Sequence, residues 1–127
     1  MNTTEIGRLG EKLAAHYLRK NGYKILETNK HQSHNELDII ASNKEWILFV
    51  EVKTRSVQAD LYSAYGTPAS AVDFRKQART VKAAQEYLLS HPHEGKQPRM
   101  DVIEVYLDQA TKKPLKINHI PNAFGAR

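Results

Sequence analysis

The chain has 127 residues, 40% of them hydrophobic and 26% charged, which fits one globular domain and excludes a disordered chain. It has no cysteine, so disulfides, thiolate zinc sites and cysteine nucleophiles are excluded, and any metal must be held by oxygen or histidine. Lysine and arginine number 19 against 14 acids, a net charge of +5 that favours polyanions but is short of the excess of a dedicated nucleic-acid coat.

The N-terminal stretch, Met1 to Glu5, is polar, and the longest apolar run, Trp46 to Val50, is far too short to span a bilayer. A cytoplasmic location without a membrane partner is expected. Ile6, Leu9, Leu13 and Tyr17 recur at helical spacing, predicting a first helix from about Thr4 to Asn21, capped by Thr3 or Thr4 and stopped by Gly22. Tyr23 to Asn29 reads as a strand and Lys30 to Asn35 as a turn. Glu36 to Ala41 and Trp46 to Lys53 then form a hairpin around the polar connection Ser42 to Glu45.

Thr54 to Pro68 has no period and reads as a long loop. A second helix follows, capped by Asp73 or starting at Thr67-Pro68, with Phe74, Ala78, Val81, Ala84 and Leu88 as its buried stripe to about Ser90. Met100 to Tyr106 and Leu115 to Ile120 read as the last strands, giving a single α/β domain over residues 1–127.

The hairpin carries the chemistry. A loop centred between Asn43 and Lys44 pairs Ala41 with Trp46, Asp38 with Phe49 and Glu36 with Glu51, and opposite partners share a face. One face is then wholly apolar, with Leu37, Ile39, Ala41, Trp46, Leu48, Val50 and Val52. The other carries Ile40, Ile47 and Phe49, followed by Glu36, Asp38, Glu51 and Lys53 at the end away from the turn. Carboxylates held this close repel unless a proton or cation intervenes. Magnesium or manganese would answer that need, because hard divalent ions take carboxylate and carbonyl oxygens and keep sites for water or phosphate. Lys53 would orient or help deprotonate a water and stabilise charge on the reacting phosphate. Glu-x-Lys on a strand is common on solvated sheets. Here the acids follow directly on Trp46 to Val50, a segment apolar on both faces, which points instead to a site at the sheet rim.

Asp38, a gap of twelve residues, then Glu51-Val52-Lys53 resembles the PD-(D/E)XK nuclease signature, with Leu37 where its nominal proline would stand. Gly7-Arg8-Leu9-Gly10-Glu11, Glu36 to Ile40, Phe49 to Arg55 and Lys76-Gln77 are similar to the YraN-like family of uncharacterised bacterial proteins, which resembles archaeal Holliday junction resolvases. Asn35 stands where that family usually has glycine. The resemblance implies a restriction-endonuclease-like core, α-β-β-β-α-β plus a C-terminal strand, whose mixed sheet is flanked by helices. It also implies a metal held by Asp38, Glu51 and the Val52 carbonyl, Lys53 serving the attacking water, and Glu11 assisting from the first helix. The implied substrate is DNA, at branched or junction structures, cut to leave a 5′ phosphate. A homodimer would supply the two centres that symmetric cuts need.

Around that centre, Glu11 lies at the edge of the helical stripe, and small Gly7 and Gly10 would let this turn approach the strands. Gln77 falls on the buried side of the second helix, where it must bond either a site carboxylate or a backbone group. Arg75, Lys76, Arg79 and Lys82 form a candidate phosphate track, and Arg8, Lys30 and Arg55 neighbour the acids in sequence. His31-x-x-His34 has no third-ligand pattern after it and reads as solvated loop. The competing class is a non-catalytic nucleic-acid-binding module that keeps the fold.

Overall fold

Asn2, rather than Thr3 or Thr4, starts the first helix. Its Oδ1 accepts from the Glu5 N–H at 2.9 Å, and Glu5 Oε1 accepts from the Asn2 N–H at 3.4 Å, a capping box that satisfies two donors at once. In the computed structural model, which describes residues 1–32, 34–58 and 74–125, this helix, α1, spans Thr3–Lys20. Gly22 follows it at φ +90°, in the left-handed conformation expected of the stop.

The remaining elements are β1 (Lys24–Gln32), β2 (Asn35–Ser42), β3 (Trp46–Val57), α2 (Phe74–Ser90), β4 (Gln97–Asp108) and β5 (Pro114–Phe124). The strands form one mixed sheet in chain order, antiparallel except for the parallel pair β3 and β4, whose connection contains α2. This is the single α/β domain and the element order that the sequence predicts.

Several boundaries differ from expectation: β4 begins at Gln97 rather than Met100, β5 runs to Phe124 rather than Ile120, and two changes lie near the acids. Lys30 to Gln32 continue β1 instead of turning, and Thr54 to Val57 continue β3, paired with Val105 to Asp108 of β4. Residues 59–68 of the expected loop and both candidate caps of the second helix lie outside the described residues.

The hairpin register is also shifted. Asn43 Oδ1 accepts from the N–H groups of Glu45 and Trp46 at 2.9 and 2.8 Å, and the Asn43 N–H reaches the Trp46 carbonyl at 3.0 Å. The turn therefore closes tightly on Lys44-Glu45, and Ile39 pairs with Val50, Ile40 with Phe49 and Ala41 with Leu48. Relative to the predicted pairing the register moves by two residues, and because side chains alternate with period two, each of the paired residues keeps its face. Leu37 is the exception to the predicted faces: it packs with Ile40 and Phe49, not with Ile39.

The two helices cover opposite faces of the sheet. Ala14, Ala15 and Leu18 of α1 pack on Ile39, Ala41, Leu48, Val50, Ile103 and Val105, while Ala83, Ala84 and Tyr87 of α2 pack on Ile40, Ile47, Phe49, Met100 and Val102. The buried stripe of α2 is rotated from the expected one: Thr80, Ala83, Ala84 and Tyr87 are inside, whereas Phe74 is 71% exposed and Ala78 is exposed. The large Tyr87 ring explains the rotation, since it meets Phe49 edge-on at 5.9 Å and finds Glu27 for its hydroxyl at 3.2 Å.

β4 is buried on both faces from Met100 to Leu107, Asp101 and Glu104 included. Asp101 accepts from Arg99 Nε at 2.8 Å, Arg99 Nη2 at 2.9 Å, His119 Nε2 at 2.7 Å and the Asn122 N–H at 2.9 Å. Glu104 accepts from Arg55 Nε at 2.7 Å and Tyr106 Oη at 2.5 Å.

At Gly10 α1 touches β3. A Cβ there would lie 1.8 Å from Thr54 Oγ1 and 2.8 Å from both Thr54 Cβ and Cγ2, so the close approach read from the sequence is required at this glycine. Gly7, by contrast, faces open space, with nothing within 4 Å of where a Cβ would stand. Gly10→Ala should therefore destabilise by about 1–3 kcal/mol despite the better helix propensity of alanine. Denaturant unfolding of G10A and of G10A with Thr54→Gly checks this, the double variant recovering most of the loss.

Candidate functional site

The paired residues of β2 and β3 run only as far as Ile39 and Val50. Beyond that point the strands part, and Asp38 Oδ2 accepts the Val52 N–H at 2.9 Å in place of a ladder partner. In an extended residue the N–H and C=O leave by the same edge, so the Val52 carbonyl faces this gap too.

Because the strands part here, both layers contribute to one cavity of about 540 Å³. Its lining includes Glu11 and Arg8 from α1, Asn29 and His31 from β1, Glu36 and Asp38 from β2, Glu51, Val52 and Lys53 from β3, and Lys76 from α2. Glu11, Glu36 and Asp38 each place a carboxylate oxygen within 4.8 Å of the others. Glu51 is 4% exposed, and its Oε1 meets Lys53 Nζ at 3.4 Å and Lys76 Nζ more closely still.

Asn29 is a site residue that the sequence reading missed. It has φ +50°, a left-handed conformation asparagine tolerates better than most residues, and it falls opposite Asp38 in the β1–β2 register. With its amide nitrogen turned toward the acids it donates to Glu36 Oε1 and Glu11 Oε2, each at 2.8 Å. His31, expected in a solvated loop, is in β1 on the cavity lining with Nε2 3.6 Å from Glu36.

Burial pushes the Asp38 carboxyl up to about 7, and the neighbouring Glu51 charge adds to the rise, while the Val52 N–H opposes it. Glu11 is also raised, first by burial and then by Glu36. Burial would lower the Lys76 ammonium, but its hydrogen bond to Glu51 and the charges of Glu51 and Asp38 outweigh that and hold it above its ordinary value. The donor set, several carboxylates and a backbone carbonyl, suits a hard divalent cation.

Residues 10–105 match a family described as Uncharacterised protein family UPF0102. The chain belongs to this family. A UPF0102 protein from Caldanaerobacter subterraneus subsp. tengcongensis is 48% identical over 124 residues, covering 98% of each chain. Another, from Alkaliphilus oremlandii, is 46% identical over 122 residues, covering 94% of this chain and 97% of its own. SfsA of Pyrococcus furiosus in complex with Ca²⁺ superposes at a TM-score of 0.40 with 13% identity, over 90% of this chain and 63% of its own, too loosely to carry an argument. The UPF0102 match spans every acid of the cavity as well as Lys53 and Lys76.

Other candidate residues of this UPF0102 chain are dispersed. Gln77 lines a separate groove with Phe74, Ala78, Val81 and Lys82, and it is the preceding residue, Lys76, that enters the acid cavity. Lys76 thus leaves the phosphate track for the site itself, while Arg75, Arg79 and Lys82 remain on the outer part of α2. Arg55 is turned to the buried Glu104, Lys30 sits in β1 paired with Leu37, and Arg8 alone of the neighbouring cations lines the cavity. Among the described residues, no helix is long and apolar enough to cross a membrane.

Proposed function

We propose that this UPF0102 chain is a Mg²⁺- or Mn²⁺-dependent endonuclease that hydrolyses DNA phosphodiester bonds, with branched or junction DNA as its preferred substrate. What supports the reading is the convergence of Glu11, Glu36, Asp38, Glu51 and Lys53 on one cavity at the point where two strands part. Asp38, Glu51 and the Val52 carbonyl would hold the cation, which when bound supplies Lewis-acid polarisation of the phosphate and a more acidic water. Lys53 orients that water and offers its ammonium to the charge developing on the phosphate. Glu11 and Glu36, tied together by Asn29, complete the acidic wall. Arg8 at the cavity, with Lys30, Arg75, Arg79 and Lys82 outside it, would meet flanking phosphates. A homodimer would provide paired cuts across a junction.

A second reading, a DNA-binding module with an idle centre, draws on the Lys76 contact that occupies Glu51. Purified protein incubated with linear, flapped and four-way-junction DNA, in magnesium, manganese or chelator, separates the two. Metal-dependent cleavage leaving 5′ phosphates is the expected result; binding that is indifferent to metal and never followed by cleavage would establish the module.

A further inference from the structure

We propose that Lys76 is the built-in counter-ion of Glu51 in the metal-free protein and is displaced from it when a divalent cation enters, so that Lys76 sets the affinity of the site for metal. The proposal rests on the metal-centre reading above.

Glu51 is 4% exposed, and a buried carboxylate needs a cation or hydrogen-bond donors around it. Two ammonium groups meet the same Oε1, but they are held differently. Lys53 is two residues along the same strand, on the face of Glu51, with a side chain 26% exposed. Lys76 comes from α2, across the cavity, with a side chain 38% exposed on a long flexible stem that can turn toward solvent. At the other acids Arg8 and Lys76 act through space, on Glu11 and Asp38 respectively, while the close partners are the Val52 N–H for Asp38, Asn29 for Glu11 and Glu36, and His31 for Glu36.

A magnesium ion sits about 2.1 Å from its carboxylate oxygens. That space at Glu51 Oε1 is filled by Lys76 Nζ, and two cations cannot share it. Entry of metal at Asp38 and Glu51 therefore requires the Lys76 head group to leave, and the contact it gives up is subtracted from the apparent affinity.

Titration calorimetry with Mn²⁺, and thermal melts in chelator and in saturating Mn²⁺, test this on wild type, Lys76→Gln and Arg79→Gln. K76Q should bind Mn²⁺ about tenfold more tightly, the scale of one charge-assisted hydrogen bond. It should melt below wild type in chelator, with the gap closing in Mn²⁺. R79Q removes the same charge one turn along α2 and should change affinity less than about twofold at moderate salt. Equal tightening in both variants would mean through-space charge alone and overturn the proposal. Unchanged affinity in K76Q would overturn it too, because the cation would then use other oxygens while Lys76 stays in place. If neither wild type nor K76Q binds Mn²⁺, the metal-centre reading fails and displacement falls with it; Mn²⁺ binding by wild type with no gain in K76Q sinks displacement alone.

Discussion

Asparagine in place of Asp38 should reduce metal-dependent DNA cleavage by about a thousandfold or more while making the metal-free protein more stable above neutral pH. The first effect follows from loss of the carboxylate shared between the metal position and the Val52 N–H: the amide oxygen can keep the backbone bond but carries no charge for a cation. The second follows from the electrostatics. An unfolded aspartate ionises near 3.8, whereas the folded Asp38 holds its proton to about 7 because of burial and Glu51. Between these values the folded state binds a proton that the unfolded state has lost, so stability falls as pH rises through the interval. The amide of D38N does not ionise, and this variant should gain about 1–3 kcal/mol over wild type at pH 8 in chelator, with little difference at pH 4. Nuclease assays together with melts from pH 4 to 8 check both halves. A D38N protein that still cuts would contradict the metal-ligand role, and a gap between D38N and wild type that does not widen from pH 4 to pH 8 in chelator would contradict the electrostatic account.

Asp101→Ala should be the most damaging single change to the fold, costing about 3–5 kcal/mol. Asp101 is fully buried and is the common acceptor for Arg99, His119 and the Asn122 N–H. Arg99 also donates to Tyr23 Oη at 3.2 Å and lies 5.0 Å from the Trp46 ring centroid, and Tyr17 Oη meets His119 Nδ1 at 3.1 Å. One carboxylate thus ties β4 to β5 and to the C-terminal part of α1, and its loss leaves a guanidinium and a backbone donor in a site built for an anion. Burial would raise this carboxyl, yet the hydrogen bonds from His119, Arg99 and Asn122 overcome that and hold it below the ordinary value. Its contribution is therefore present at neutral pH and fades as acid protonates it, the opposite slope to Asp38. Denaturant midpoints for D101A, compared from pH 7 down to pH 3, should show a deficit that shrinks toward the acid end.

The two helices and the hairpin are legible from the sequence because their signals are local and periodic. Even with the hairpin turn misplaced, a two-residue shift keeps Ile40 and Phe49 on one face, and Asp38 and Glu51 beyond the ladder line one cavity. What makes the site three-dimensional is not local. Asn29 gains its role from a left-handed backbone and from acids on two other elements, and nothing in Thr28-Asn29-Lys30 signals either. Lys76, although part of the family resemblance, reads by its spacing as a cation of a phosphate track, and its place at Glu51 depends on how α2 docks against the sheet. The burial of Asp101 and Glu104 has no local signal, because the partners that permit it are remote: His119 and Asn122 lie 18 and 21 positions from Asp101, and Arg55 lies 49 positions from Glu104. The rotated stripe of α2 has a related cause: amphipathic spacing shows that a face exists, while Tyr87 and its distant partner Glu27 decide its angle.

The sheet keeps the apolar layer under α1 separate from the layer under α2, and the acid cavity is where Glu11 of one helix and Lys76 of the other face a common space. In the metal-free protein the Lys76–Glu51 pair works as a clasp, fastening the helix over one half-core to a strand that both half-cores share. A cation that enters the cavity would undo it, loosening the N-terminal part of α2 locally even as binding stabilises the chain as a whole.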